Sequence, residues 1–395
     1  MLLSLALILL VGLALSGIMI KLKLPGLLGM LLAGIILGPT MLNLISTQIL
    51  DISKDLRQIA LIIILTRAGL SLDLKDLKKV GRPALLMCFV PATFELVAVT
   101  LFAPLLLHIS TLDAAILGAV LAAVSPAVVV PRMLKLMESG YGTNHSIPQM
   151  IMAGSSADDV YVIVLFAAFM GMATGDGFSA FTLLSIPISI LLGILLGIIS
   201  GLLLIRLFRI VHMRDTIKVL ILLSTSFLFV TLESALKTTL PLSGLLAVMA
   251  LGATILGKYE NLAKRLSGKF AKSWVAAELL LFVLVGAAVD IRYIAQVGIA
   301  AVVLLVAALI MRMVGVNICL INTRLNQKEK LFTSIAYLPK ATVQAAIGSI
   351  PLTAGLASGN IILSIAVLSI IITAPLGAIG IDMTYKKLLT RSNCD

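Results

Sequence analysis

Two neighbouring aspartates, Asp158 and Asp159, stand in the middle of an otherwise apolar stretch, 147–171. Other apolar stretches carry Glu95 (83–108), Arg312 (294–321) and Lys340 (329–351). If each stretch is a membrane-spanning helix, these charges are costly to keep there, and an ionisable residue at such a depth is a functional candidate by default. At about 1.5 Å of rise per residue, all five lie about 14–18 Å from the same end of their helices. Helices running in both directions therefore place their deep charges in one layer near the bilayer centre. Successive residues on a helix point about 100° apart, so the two aspartates cannot do the same job. One can face a basic partner and the other an ion path. Three carboxylates against two bases leave the layer one net negative charge, which one monovalent cation or one proton neutralises. Hard carboxylate and backbone oxygens suit an alkali cation. The three histidines, His108, His145 and His212, lie at span ends or in loops and form no transition-metal cluster.

The elements that must position these residues follow from composition. Sixty per cent of the 395 residues are hydrophobic and 12% are charged, about half the charged fraction usual for a soluble domain. Segments able to cross about 30 Å of hydrocarbon fall at 2–20, 26–45, 56–73, 83–108, 113–134, 147–171, 178–206, 217–236, 240–257, 273–290, 294–321, 329–351 and 359–383. Thirteen transmembrane helices, all-α and polytopic, form a single membrane domain over 1–395 with no soluble domain between them. Twenty-three of the 30 lysines and arginines lie in the odd-numbered connections and the tail, against Lys54, Arg57, Lys237 and Arg292 in the even ones. The net charge of +12 thus reads as a topology signal, with the N-terminus outside and the C-terminus cytoplasmic, and not as a nucleic-acid surface. Of the three bases inside spans, Arg67 lies near a helix end and can snorkel, whereas Arg312 and Lys340 are deep. Glu233 and Glu278 lie nearer helix ends and read as structural. Cys88 and Cys319 are in apolar segments and Cys394 is in the tail, which argues against disulfides. The N-terminus lacks the basic region of a signal peptide and is expected to be a retained helix.

Two segments are interrupted at the depth of the charges: Ala-Val-Ser-Pro-Ala-Val-Val-Val-Pro at 123–131, and Tyr-Leu-Pro-Lys-Ala-Thr-Val-Gln at 337–344. Pro126 and Pro339 each remove a backbone donor, and Ser125, Thr342 and Gln344 supply polar groups to re-satisfy the freed backbone. The breaks fall in the fifth and twelfth segments. An offset of seven also relates the fourth to the eleventh and the sixth to the thirteenth, and an odd offset inverts orientation. Inverted repeats with paired broken helices near the midplane are the architecture of secondary transporters. Two other classes fit these residues less well. An intramembrane aspartyl protease needs one Asp from each of two helices sharing a proton, whereas here both are on one helix. A channel needs neither paired breaks nor compensating bases. The glycines at 193, 197 and 201 form a run at helical spacing that suits either a dimer or hinge surface or close packing within one subunit.

Four stretches, Thr-Arg-Ala-Gly-Leu-Ser-Leu-Asp (66–73), Ala-Val-Ser-Pro-Ala-Val-Val-Val-Pro (123–131), Ser-Ser-Ala-Asp-Asp (155–159) and Leu-Pro-Lys-Ala-Thr-Val-Gln-Ala-Ala-Ile-Gly (338–348), closely resemble the NHA branch of the cation:proton antiporter superfamily. The resemblance covers most of the chain. It implies an NhaA-like antiporter fold and a homodimer in the inner membrane that moves by an elevator-like displacement. Ion-transporting core halves are expected at 75–175 and 290–383, with dimerisation and scaffold helices at 1–50 and 178–257. By the same resemblance Asp159 binds the ion, Asp158 neighbours the base Arg312, Glu95 is the acidic partner of that basic helix, and Lys340 is the base of the second broken helix. Ser125, Pro126, Ser155, Ser156, Thr342 and Gln344 supply the polar groups around them. Many bacterial relatives have Lys where this chain has Arg312. The implied activity is sodium or lithium against proton exchange with no cofactor, and potassium/proton exchange is the alternative.

Overall fold

The computed structural model describes residues 1–71, 81–175, 180–236 and 242–391, without the side chains of 156–157, 180–187 and 291–297. Lys75, Lys78, Lys79, Lys237 and Cys394 therefore lie outside the described residues, and so do the side chains of Ser156 and Arg292. Among the described residues there are helices and no strands. Leaving aside the one-turn helices Thr47–Asp51, Thr143–His145 and Ile350–Thr353, the succession is α1 (Leu2–Lys21), α2 (Gly26–Leu37), α3 (Ser53–Ser71), α4 (Arg82–Met87), α5 (Val90–Leu107), α6 (Thr111–Leu121), α7 (Pro126–Glu138), α8 (Ile147–Thr174), α9 (Ala180–Ile210), α10 (Asp215–Leu236), α11 (Gly244–Lys258), α12 (Glu260–Ala287), α13 (Ile291–Cys319), α14 (Gln327–Ala336), α15 (Thr342–Ile347) and α16 (Gly359–Leu388).

Each of the thirteen apolar segments overlaps helix among the described residues. Nine helical stretches among the described residues are long and apolar enough to cross a membrane unaided. The other four are shortened or interrupted. The helices α2 and α11 are brief apolar ones, α3 carries Lys54, Asp55, Arg57 and Arg67, and the 329–351 segment is divided between α14 and α15. The chain is a multi-pass helical membrane protein. Helix α12 begins well before the apolar segment expected at 273–290, because its polar first turns remain helical and carry an i,i+4 pair, Lys264–Glu260, at 2.8 Å.

The chain divides into two compact units. One comprises Met1–Asp51, Leu74–Ala173 and Phe282–Asp395, and the other Ile52–Asp73 and Thr174–Leu281. Within the second unit α9 lies on α11, and the glycine run is the reason they can approach. A Cβ on Gly197 would meet Ala250 Cβ at 2.6 Å and Leu251 N at 2.9 Å, and one on Gly201 would meet Thr254 Cβ at 2.8 Å. The run is thus spent on packing inside one subunit. In the same unit Arg67 lies within electrostatic reach of Glu278, and Glu233 Oε2 accepts from the Gly244 amide at 3.1 Å. Glu278 lies well inside α12 and not near a helix end.

Candidate ion site at the crossing of two interrupted helices

The site lies in the first unit and begins with backbone. Helix α6 stops at Leu121, and α7 starts at Pro126, a residue with no amide hydrogen to continue the ladder. Helix α14 stops at Ala336, and α15 starts at Thr342 beyond Pro339. The two breaks touch directly, Ser125 N donating to Pro339 O at 2.8 Å. Each break leaves helix-end carbonyls without intrahelical donors, in a layer where water is scarce.

The deep bases answer those carbonyls. Lys340 Nζ donates to Leu121 O at 2.5 Å, Arg312 Nη1 to Ala122 O, and Gln344 Nε2 to Ala123 O at 3.0 Å and Leu121 O at 3.3 Å. Arg312 also reaches the end of α14 through Nε, which donates to Tyr337 O at 2.8 Å. Cations thus sit against the negative ends of both half-helices, where the aligned peptide dipoles favour positive charge.

The carboxylates then compensate the bases. Glu95 on α5 is fully buried between them, with Oε2 2.5 Å from Arg312 Nη1 and Oε1 2.6 Å from Lys340 Nζ. The second contact is an ion pair. Asp158 Oδ2 accepts from Arg312 Nη2 at 3.2 Å and from the Val124 amide at 3.1 Å. Asp158 is therefore held by a base and by the backbone just ahead of α7. Asp159, the next residue of α8, is also buried, and its Oδ1 has no hydrogen-bond partner among the described residues. Asp158 Oδ1, Ser125 Oγ and Gln344 Oε1 are likewise buried without hydrogen-bond partners among the described residues. These are oxygens of the kind an alkali cation takes.

The structure therefore brings Glu95, Asp158, Arg312, Lys340, Ser125, Pro126 and Gln344 to one crossing, with Asp159 beside Asp158 on the same helix. Ser155 is buried on α8, and its hydroxyl donates to Met152 O at 3.3 Å within that helix. Thr342 is buried at the start of α15. The side chain of Ser156 lies outside the description. Sequence reasoning paired Glu95 with Arg312 alone, and its second partner Lys340 was missed. Also missed was Thr373 on α16, whose hydroxyl accepts from Lys340 N at 3.0 Å. A lone threonine two residues before Pro375 in an apolar segment was the available signal for it.

Interrupted helices crossing at a buried, charge-compensated carboxylate cluster define a secondary transporter. Comparison with known proteins specifies the class. The family model described as "Sodium/hydrogen exchanger, transmembrane" matches residues 5–387. Sodium/hydrogen exchanger 9B2 of Mus musculus is 34% identical over 381 residues, covering 93% of this chain and 69% of the relative. Sodium/hydrogen exchanger 9B1 of Homo sapiens is 33% identical over 383 residues, covering 93% and 73%. Among solved structures, the sodium proton antiporter MjNhaP1 of Methanocaldococcus jannaschii superposes with a TM-score of 0.83 at 21% identity, covering 97% of both chains. The chain belongs to the sodium/hydrogen exchanger family, within the cation:proton antiporter superfamily.

Proposed function

We propose that this chain exchanges sodium for protons, and that the two compete for the carboxylate of Asp159. The observation that carries this reading is the unequal environment of the aspartate pair. Asp158 is committed through Oδ2 to Arg312 and to the Val124 amide, while Asp159 is buried and its Oδ1 has no hydrogen-bond partner among the described residues. A bound cation or a bound proton neutralises that carboxylate, and the carrier reorients only in the neutralised state, because an uncompensated charge is costly to move through a low-dielectric layer. Family membership and the sodium/hydrogen exchangers among its relatives support sodium as the cation, with lithium accepted in its place.

The same reading makes 75–175 and 290–383 the ion-carrying core and 1–50 and 178–257 the dimerisation and scaffold helices of a homodimer working by an elevator-like displacement. Thirteen crossings of the cell's inner membrane belong to the same reading, with the N-terminus outside as the charge pattern suggests. The test is proton flux in proteoliposomes under imposed gradients of sodium, lithium and potassium in turn. Asp159→Asn keeps the side-chain volume but loses the exchangeable charge, so flux should vanish while the protein remains folded. Near-normal sodium/proton exchange by that variant would sink the mechanism. Flux driven by potassium alone would replace sodium as the substrate.

A further inference from the structure

Tyr337, the residue that caps the end of α14, meets the central base of the site twice. Its carbonyl accepts from Arg312 Nε at 2.8 Å. Its ring lies beside the same guanidinium, with Cζ 5.8 Å from the ring centroid, inside the range of a cation–π contact. The side chain is fully buried, and its far end reaches α8. A Cβ on Gly154 would fall on the Tyr337 hydroxyl oxygen, closer than two atoms can stand, and would lie 3.0 Å from Met87 Cβ. Gly154 is thus a notch in α8, and the phenol oxygen fills it.

Gly154 precedes Asp158 by four residues, so the notch and the carboxylate share one face of the helix, a turn apart. Asp158 in turn pairs with Arg312 at 3.2 Å. The contacts close a circuit from Arg312 to Tyr337, across to Gly154, one turn along α8 to Asp158, and back to Arg312. In such a circuit the length of the tyrosine side chain sets how far α8 stands from the base. The hydroxyl has no hydrogen-bond partner among the described residues. A buried hydroxyl left unpaired is costly, and its presence in a packed interior calls for a reason. Length is such a reason, since phenylalanine would leave the notch short by one oxygen atom.

We propose that Tyr337 is a positioning residue for the exchange reaction, a role that rests on Asp159 being the exchanging carboxylate. Seated in the Gly154 notch, its hydroxyl fixes the separation of α8 from Arg312 and so the placement of the aspartate pair. Displacing α8 moves Asp158 off the guanidinium and carries Asp159, the next residue, with it. The hydroxyl contributes its volume and not its capacity to donate. Removing that oxygen while adding a methyl group opposite it should therefore cancel, because volume-conserving exchanges are the best tolerated in a packed interior. With the oxygen gone, the ring atom Cζ stands 3.3 Å from the Cβ position on Gly154, which a small shift accommodates.

The test is sodium-driven proton flux by the whole chain in proteoliposomes at one fixed pH, with thermal unfolding measured alongside. Native chain, Gly154→Ala, Tyr337→Phe and the double variant are compared by the KM for sodium and by the maximal rate. Each single variant should raise the KM severalfold and change the maximal rate of the folded protein less. The double variant should return the KM towards the native value. If Gly154→Ala alone fails to fold, recovery of both folding and KM in the double variant supports the same conclusion. A lower unfolding midpoint with a native KM in Tyr337→Phe would mean packing only and would overturn the role. A double variant as impaired as the worse single one would overturn it as well, because the hydroxyl would then act by hydrogen bonding. A native chain without cation-driven flux would overturn the exchange reading and this role together, whereas native exchange with an unaltered KM in the variants overturns the role of Tyr337 alone.

Discussion

Glu95 is the residue on which the charge balance of the crossing turns. It touches both bases, at 2.5 Å and 2.6 Å, with all three side chains out of solvent. Removing it leaves two cations facing helix ends with only Asp158 as a close counter-charge. Breaking a buried ion pair by deleting one partner costs about 3–5 kcal/mol, whereas replacing both partners can be nearly neutral. Glu95→Gln should therefore lower the unfolding midpoint markedly. Lys340→Met should lower it less, since Glu95 keeps Arg312. The double variant Glu95→Gln/Lys340→Met preserves the net charge of the site and should unfold above Glu95→Gln alone. Thermal unfolding of the three variants decides the matter, and strictly additive losses would show that the Lys340–Glu95 contact carries no coupling.

At the scale of elements, packing between helices is set by the residues that permit approach. Placing a large side chain at Gly197 must push α9 away from α11, because even a Cβ there would lie 2.6 Å from Ala250 Cβ. Overpacking of this kind costs about 1–3 kcal/mol, so Gly197→Leu should unfold earlier than Leu195→Ala, a change on the exposed side of the same helix. An unfolding midpoint for Gly197→Leu equal to that of the native chain would show that the two helices separate freely. The glycine spacing was legible in the sequence, but its partner was not, since periodicity reveals a small-residue face without saying what covers it. The interruptions were legible for a stronger reason: Pro126 and Pro339 forbid a ladder bond wherever the helices run. The common depth of Glu95, Asp158, Arg312 and Lys340 was likewise readable from helical rise. What could not be read was the set of backbone acceptors at Leu121, Ala122, Ala123 and Tyr337. Carbonyls belong to every residue, and only the crossing of the two breaks leaves these unpaired. The double duty of Glu95 was hidden similarly, because it depends on lateral distances between helices that are far apart in the chain.

For the molecule as a whole, the geometry bears on how many charges cross per cycle. Asp158 is fastened by Arg312 at 3.2 Å and by the Val124 amide at 3.1 Å, and arginine cannot surrender its proton under ordinary conditions. If those contacts persist as the carrier reorients, Asp158 stays ionised throughout and Asp159 alone exchanges its occupant. Each sodium entering the site then displaces one proton, and the loaded site carries the same charge in both directions. Exchange is expected to be electroneutral. The measurement is the reversal point in proteoliposomes at known sodium, proton and voltage gradients. A sodium gradient balanced by an equal proton gradient in the same direction should give no net flux, and an imposed voltage should leave that balance unmoved. A balance point that shifts with voltage would mean that a second proton travels, which requires Asp158 to part from Arg312 during the cycle. Arg312→Lys then separates the two cases further. A base able to release its proton should introduce voltage dependence if Arg312 is what enforces one-for-one exchange, and leave the balance unchanged if the fastening of Asp158 by Val124 suffices.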